Sequence, residues 1–270
     1  MRYLSCGLLI YFFLFCSGCV SAPLQKCGNS YFIQDESDSR KSPYDNLQLG
    51  IPKTGSDLVV IDREGYAVGF SKKLKVPVWV CWVLTADEVQ RKAASRARFE
   101  ADPCTRYSSI PEDYLRSGFD RGHLAPAADM AYSAETMKES FYMTNMAPQL
   151  PQFNRQIWKY LEAATRNAAL REKRIAVVAG SIFYKDRPID TIGNGVAVPH
   201  AFFRCILDLT PPHKAIGFIM ANARHKEHFT VFACSIDEVE RITGFQFFNR
   251  FGKPDLKKNH SIEAWNWEKL

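Results

Sequence analysis

"SGFDRGHLAPAADM", residues 117–130, is the stretch on which the reading of the chain turns. It sets Asp120, Arg121, Gly122 and His123 side by side, residue types that handle protons, phosphates and metals. Gly122 permits a tight backbone path. Asp120 can pair with Arg121 or another cation and fix the segment, and His123 then projects from a constrained position. A neutral imidazole near physiological pH can take a proton from water. A single histidine in a polar turn is more often satisfied structure than catalyst, so the four residues alone leave both readings open.

Downstream, "PQFNRQIWKYLEAATRNAALREK", residues 151–173, predicts the strongest helix of the chain. Ile157, Leu161, Ala164 and Ala168 recur at spacings of three and four and mark one apolar face. Steps of four along a helix stay on one side, which lines up Asn154, Trp158 and Glu162. An amide oxygen and a carboxylate so stacked can serve one hydrated hard cation, the amide directly and the carboxylate through water. Magnesium keeps several waters and takes few protein ligands, so it suits this sparse set better than zinc or calcium. The plain alternative is an N-terminal Asn and a solvated Glu on an ordinary amphipathic helix.

The flanks are rich in strand patterns. "DLVVIDREGYAVGFS" (57–71) reads as a hairpin with its turn at Asp62–Gly65 and alternation through Tyr66, Val68 and Phe70. "VPVWVCWVL" (76–84) reads as a buried strand, and "TADEVQRKAASRARFEADP" (85–103) as a charged, partly helical, exposed excursion. "RIAVVAGSIF", "VAVPHAFFRCILDL", "KAIGFIMAN" and "HFTVFACSI" are β-rich. "SIDEVERITG" predicts a short helix with a capping box from Ser235 and Glu238 and a stop at Gly244. Strands on both flanks with helices between, and no regular βαβ alternation, predict an α+β fold with a largely antiparallel central sheet flanked by helices.

Together the pieces carry a specific likeness. "SGFDRGHLAPAADM" followed by "FYMTNMAPQLPQFNRQIWKYLE" closely resembles the DNA/RNA non-specific endonucleases, the sugar-non-specific nucleases of the ββα-metal (His-Me finger) class. "NLQLGIP", "GYAVGFS", "KVPVWVCWVL" and "FEADP" precede these motifs in the order the family shows, and "VVAGSIF", "IGFIMAN" and "SIDEVERITGFQFF" follow. The resemblance covers roughly residues 45–250. It implies a ββα-metal motif inserted in the fold and cleavage of DNA and RNA phosphodiesters, leaving 5′-phosphate ends. His123 would be the general base, Asn154 the one direct protein ligand of Mg²⁺ (with Mn²⁺ as a substitute), and Glu162 the holder of metal-bound water. Arg121 would lie beside the phosphate or brace the loop. Asp120, Gly122 and Asn145, the last in "MTNMAPQ", would support the site. The family's further phosphate-binding arginine falls on Arg96 or Arg98 in "SRARFEADP", and Arg96 is the favoured choice.

The chain has 270 residues, 46% hydrophobic and 24% charged, as expected of a soluble globular protein. "MRYLSCGLLIYFFLFCSGCVSAP" (1–23) carries one early cation and an apolar run from Leu4 to Phe15, too short to span a bilayer comfortably. It reads as an export signal over residues 1–18. "CSGC" points to a lipoprotein-type cut with Cys19 as the lipidated first residue, which would hold the protein at a bacterial membrane. A cut after Ala22 would release a periplasmic or secreted form instead. Residues 19–44 read as a flexible tether and 45–270 as the nuclease domain. Loss of residues 1–18 takes away Arg2 and no anion, so the formal charge falls from +6 to +5, mildly basic and compatible with a polyanionic substrate.

Five cysteines follow Cys19, none in a CxxC spacing, which argues against zinc. Cys81, Cys205 and Cys234 lie in apolar runs and read as buried thiols, with one disulfide among the five allowed but unassigned. His225 and His228 in "HKEH" read as a solvated loop in preference to a metal pair. Two other function classes compete with the nuclease. One is a surface lipoprotein that captures nucleic acid with little or no catalysis. The other is a phosphodiesterase acting on a different phosphate ester.

Overall fold

The structure, a computed structural model, describes residues 23–267. The export signal and Cys19 lie outside the described residues. In chain order, β1 (Lys26–Cys27), β2 (Ser30–Phe32) and α1 (Glu36–Lys41) come first. β3 (Leu58–Asp62) and β4 (Ala67–Ser71) form the expected hairpin, with Ile61 opposite Val68. β5 (Pro77–Thr85) follows, then α2 (Ala86–Gln90), β6 (Asp120–His123), α3 (Ala134–Ser140), β7 (Met146–Gln149) and α4 (Lys159–Glu172). The C-terminal part holds β8 (Arg174–Ile182), the short pair β9 (Thr191–Ile192) and β10 (Val196–Ala197), β11 (Ala201–Asp208), β12 (Ala215–Ala221), β13 (Ala233–Cys234) and α5 (Ile236–Thr243).

Nine strands make one sheet in the order β1-β2-β3-β4-β5-β8-β11-β12-β13, every neighbouring pair antiparallel. The fold is therefore α+β with a large antiparallel sheet, as the patterning predicts. Both faces of the sheet are covered, which is why its central strands read as continuous apolar runs and not as alternation. Along β5, Val80, Trp82 and Leu84 join the core on one face, while Trp79 and Cys81 join that on the other. β11 splits the same way, Phe202 and Ile206 against Phe203, Cys205 and Leu207.

The position of the site follows from one topological fact. β5 and β8 are neighbours, with Thr85 opposite Arg174, and Ala86 N–H donates to the Lys173 carbonyl at 2.9 Å. Residues 86–173 thus leave the sheet and return beside their point of departure. That excursion contains both "DRGH" and the helix of Asn154 and Glu162.

Three expectations need correction. The segment read as a flexible tether is joined to the domain from Lys26 onward: β2 pairs with β3, and a disulfide links Cys27 to Cys104 across 77 residues. Strand pairing depends on a distant partner, and a polar stretch does not announce one. In "HFTVFACSI" only Ala233–Cys234 is strand, pairing with Gly217 and Phe218 of β12; Phe229–Phe232 is a 3₁₀ turn. Ser235 does cap α5, accepting from Glu238 N–H at 3.1 Å. Glu238 instead turns to Arg241, so the box is half made. Cys81 and Cys205 are buried free thiols and Cys234 is partly buried. No helix among the described residues is long and apolar enough to cross a membrane.

Candidate active site

"DRGH" is a strand, not a polar turn. β6 pairs with β7, placing Asp120 opposite Gln149 and His123 opposite Met146. A helix then runs from this hairpin, completing a ββα unit. Gly122 is needed for close approach rather than for a turn: its φ is not positive, and the Gln149 side chain lies where a Cβ would stand.

The entry to the helix is irregular. Phe153–Trp158 is π-helical, with hydrogen bonds reaching five residues and not four, a device frequent at functional sites. The expected ladder of Asn154, Trp158 and Glu162 along one side is therefore broken at its middle rung. Trp158 turns into the core and is fully buried. Its indole Nε1 donates to the backbone carbonyl of His123 at 3.4 Å, tying the helix to the strand. The apolar face is as patterned: Ile157, Leu161, Ala164 and Ala168 are all buried.

A second tie runs through Asn154, whose Nδ2 donates to Asp120 Oδ2 at 2.9 Å. Asp120 pairs with Arg155 at 2.6 Å, not with Arg121 as the sequence allows. Burial works against the Asp120 charge, but the bonds from Arg155 and Asn154 outweigh it and hold the carboxyl below its ordinary value. With the amide nitrogen committed, the Asn154 oxygen is the acceptor left for a cation. Arg121 instead donates to the Pro111 carbonyl at 3.1 Å and lies over the Phe99 ring.

His123 sits between aromatic rings, its centroid 4.8 Å from Phe141 and 5.6 Å from Phe99. Burial, and then the nearby Arg96 cation, push its pKa down to about 3, so the ring is neutral. Nε2 is sealed in without a partner, which leaves Nδ1 as the nitrogen able to meet a water. The backbone after His123 is braced by Asn145, which is fully buried. Its side chain accepts from Ala125 N–H and donates to the Ala125 carbonyl, both at 2.9 Å, and donates to the Ser140 carbonyl at 2.8 Å.

Glu162 lies beneath this frame with its side chain 16% exposed. Burial pushes its carboxyl up to about 7, while Arg204, 3.8 Å away, opposes the shift. Arg204 is the residue that sequence reading missed. It is fully buried in β11, on the face shared with Phe202 and Ile206, with its guanidinium over the rings of Trp158 and Trp82. It also reaches the Leu124 carbonyl, next to His123, at 3.5 Å. The available signal was a charged residue in the middle of the apolar run "FFRCIL". Asp129, buried and bonded to Trp82 and Arg166, is the other member of this layer that the sequence left unmarked.

Of the two candidate arginines, Arg96 lines the cleft with Arg121 and Asn154, and stacks on Phe141. Arg98 is exposed and outside that lining. One ring nitrogen of each of His225 and His228 is engaged, Nε2 of the first by the Ala221 carbonyl and Nδ1 of the second by Thr230. No group of three His, Cys, Asp or Glu side chains suited to a metal occurs among the described residues. A single amide oxygen with one nearby carboxylate fits a hard cation that keeps most of its water.

The sequence model of the DNA/RNA non-specific endonuclease family matches residues 43–253. Nuclease C1 of Cunninghamella echinulata var. echinulata is 32% identical over 222 residues, covering 76% of this chain and 87% of its own. The mitochondrial nuclease of Saccharomyces cerevisiae is 31% identical over 237 residues, covering 78% and 71%. A nuclease of the Nostoc strain PCC 7120 is 28% identical over 239 residues, covering 81% and 85%. Among solved structures, a chain of the EndoG/EndoGI complex, described for the mechanism of EndoG inhibition, superposes with a TM-score of 0.72 at 29% identity. It covers 78% of this chain and 93% of that one.

Proposed function

The chain belongs to the DNA/RNA non-specific endonuclease family, metal-dependent phosphodiester hydrolases, and from that premise we propose an exported, Mg²⁺-dependent endonuclease in which His123 is the general base. One observation carries the reading. The hydrogen bonds Trp158–His123 and Asn154–Asp120 lock the histidine strand to the helix that bears the amide and carboxylate. The base and the cation-holding groups thereby share one rigid frame.

Asn154 Oδ1 would hold the ion directly and Glu162 through water. Bound there, Mg²⁺ would supply charge stabilisation for the phosphate and the departing oxygen. His123 Nδ1 takes a proton from water as the water oxygen bonds to phosphorus. The bond from phosphorus to the 3′ oxygen breaks and that oxygen takes a proton from water, leaving a 5′-phosphate and a 3′-hydroxyl, and the imidazolium then returns its proton to solvent. A pKa near 3 makes the resting ring a weak base; an incoming phosphate anion offsets the Arg96 charge and strengthens it. Arg96 and Arg121 face the phosphate, with Arg98 at the margin. Contacts of this kind carry little sequence information, which suits a broad substrate range across DNA and RNA.

Export and a lipid on Cys19 belong to the same proposal. The Cys27–Cys104 disulfide supports export, since such bonds persist in oxidising compartments. Palmitate labelling that is lost in Cys19→Ser would establish the anchor, and labelling of neither protein would favour the released form.

The purified protein should degrade plasmid and RNA with Mg²⁺, or with Mn²⁺ in its place, and stop on chelation. His123→Ala should lose at least about a hundredfold in rate. Wild-type cleavage by that variant would remove His123 from its role.

A further inference from the structure

The cleft that exposes Arg96, Arg121 and Asn154 continues over a wall the hydrolytic reading does not use, formed by Leu115, Arg116, Phe119 and Arg155. Its volume is about 430 Å³. Phe119 is half-buried, yet it packs against neither hydrophobic cluster and has no aromatic or cationic partner among the described residues. Leu115 is 66% exposed. The backbone between them turns outward through Arg116, at φ 56°, and Gly118, at φ 83°. A side chain so placed contributes nothing to the core, and its apolar surface stays in contact with water at the edge of the site.

The charges around this wall are lopsided. Arg96 and Arg116 form no ion pair among the described residues. Arg155 stays 69% exposed even while bonded to Asp120, the one carboxylate of the lining. A cationic rim beside an isolated aromatic face matches a nucleotide, phosphate to the guanidinium groups and base to the ring. In a duplex the base faces are covered by neighbouring bases, and only a phosphate ridge meets such a wall. An unpaired nucleotide can turn its face onto Phe119.

We propose that Phe119, with Leu115 beside it, is a base-stacking subsite for the nucleotide adjacent to the scissile phosphate, so that unpaired strands are the preferred substrates. The inference rests on the nuclease reading but concerns substrate choice, which the hydrolytic residues do not set.

The test compares kcat/KM for one labelled oligonucleotide, presented as a single strand and as a duplex. Wild type should favour the single strand. Phe119→Ala should lower the single-strand-to-duplex ratio about tenfold, the scale of one lost base–aromatic stack. Phe119→Trp should restore it, and Leu115→Ser should lower it less. An unchanged ratio in Phe119→Ala overturns the proposal. Fluorescence anisotropy in EDTA with the same oligonucleotides separates this from failure of the nuclease reading. If neither form is cut, tighter single-strand binding by wild type that Phe119→Ala loses still supports the subsite, and equal affinities for both forms refute it.

Discussion

Arg63 and Arg204 are both fully buried and both lie over two aromatic rings, Tyr66 and Tyr142 for the first, Trp82 and Trp158 for the second. They differ in how their charge is met. Arg63 closes onto Asp102, with Tyr66 and Glu139 alongside. Burial works against its charge, yet these neighbours outweigh it and raise its pKa. Arg204 has its contacts at 3.5 to 3.8 Å, and burial wins, lowering its pKa even with Glu162 and Asp129 nearby. One cation is neutralised where it stands. The other is held more loosely, at 3.8 Å from Glu162 and 3.5 Å from the carbonyl beside His123. A buried charge closed onto a carboxylate marks a joint of the fold, and one held more loosely marks a place where the protein holds something for use.

The joint at Arg63 should fail most visibly. Arg63→Met leaves Asp102 buried without its cation and should cost about 3–5 kcal/mol in urea denaturation, well beyond the cost of Arg204→Met. Equal losses would erase the distinction between the two arginines.

Next comes a pH effect on the same joint. Asp102 takes up the Arg63 charge, so Glu139 is a surplus carboxyl; burial pushes it up to about 7 against the pull of Arg63, with Glu135, Glu64 and Asp102 adding repulsion. Between pH 4.5 and 7 the folded state keeps a proton that the unfolded chain has released. The resulting stability is fully present below about pH 4.5 and is lost as pH rises through about 7, up to about 3 kcal/mol in all. Glu139→Gln should flatten that slope in a series of melts, and an unaltered slope would place the titration elsewhere.

At the other arginine the readout moves from stability to the site. Arg204→Met should reduce cleavage about 10- to 100-fold and raise the Mg²⁺ concentration needed for half-maximal rate, as is usual when a metal ligand loses its support. Arg204→Lys should recover part of both. A fall in rate with an unmoved Mg²⁺ midpoint would detach Arg204 from Glu162. The smallest effect sets the baseline: Arg155, paired with Asp120 but 69% exposed, should cost under about 1 kcal/mol of stability when changed to Gln.

These contrasts also explain what the sequence could disclose. The β3–β4 hairpin and the apolar face of α4 were legible because period-two and period-3.6 patterns are local. "DRGH" with Asn154 and Glu162 was legible because the ββα unit is contiguous in the chain. Arg204 was not, since a buried cation gains meaning only from Glu162 and Leu124 on other elements. The π-helical turn was hidden because an extra residue in a helical turn alters register without altering composition. The N-terminal arm was misread because what orders it, β3 and Cys104, lies well downstream.

The return of the chain at Arg174 to a position opposite Thr85 has a consequence for how such a protein can change. To the sheet, everything between those residues is a hairpin loop whose two feet are already fixed. Closing a loop costs free energy only in proportion to the logarithm of its length, about 0.6 kcal/mol per doubling. The cutting apparatus can therefore lengthen, shorten or acquire a new rim without asking any strand of the sheet to shift its register. Change is concentrated in one length of chain, while the sheet behind it supplies the fixed feet of that loop and, through Arg204 on β11, one buried charge facing Glu162.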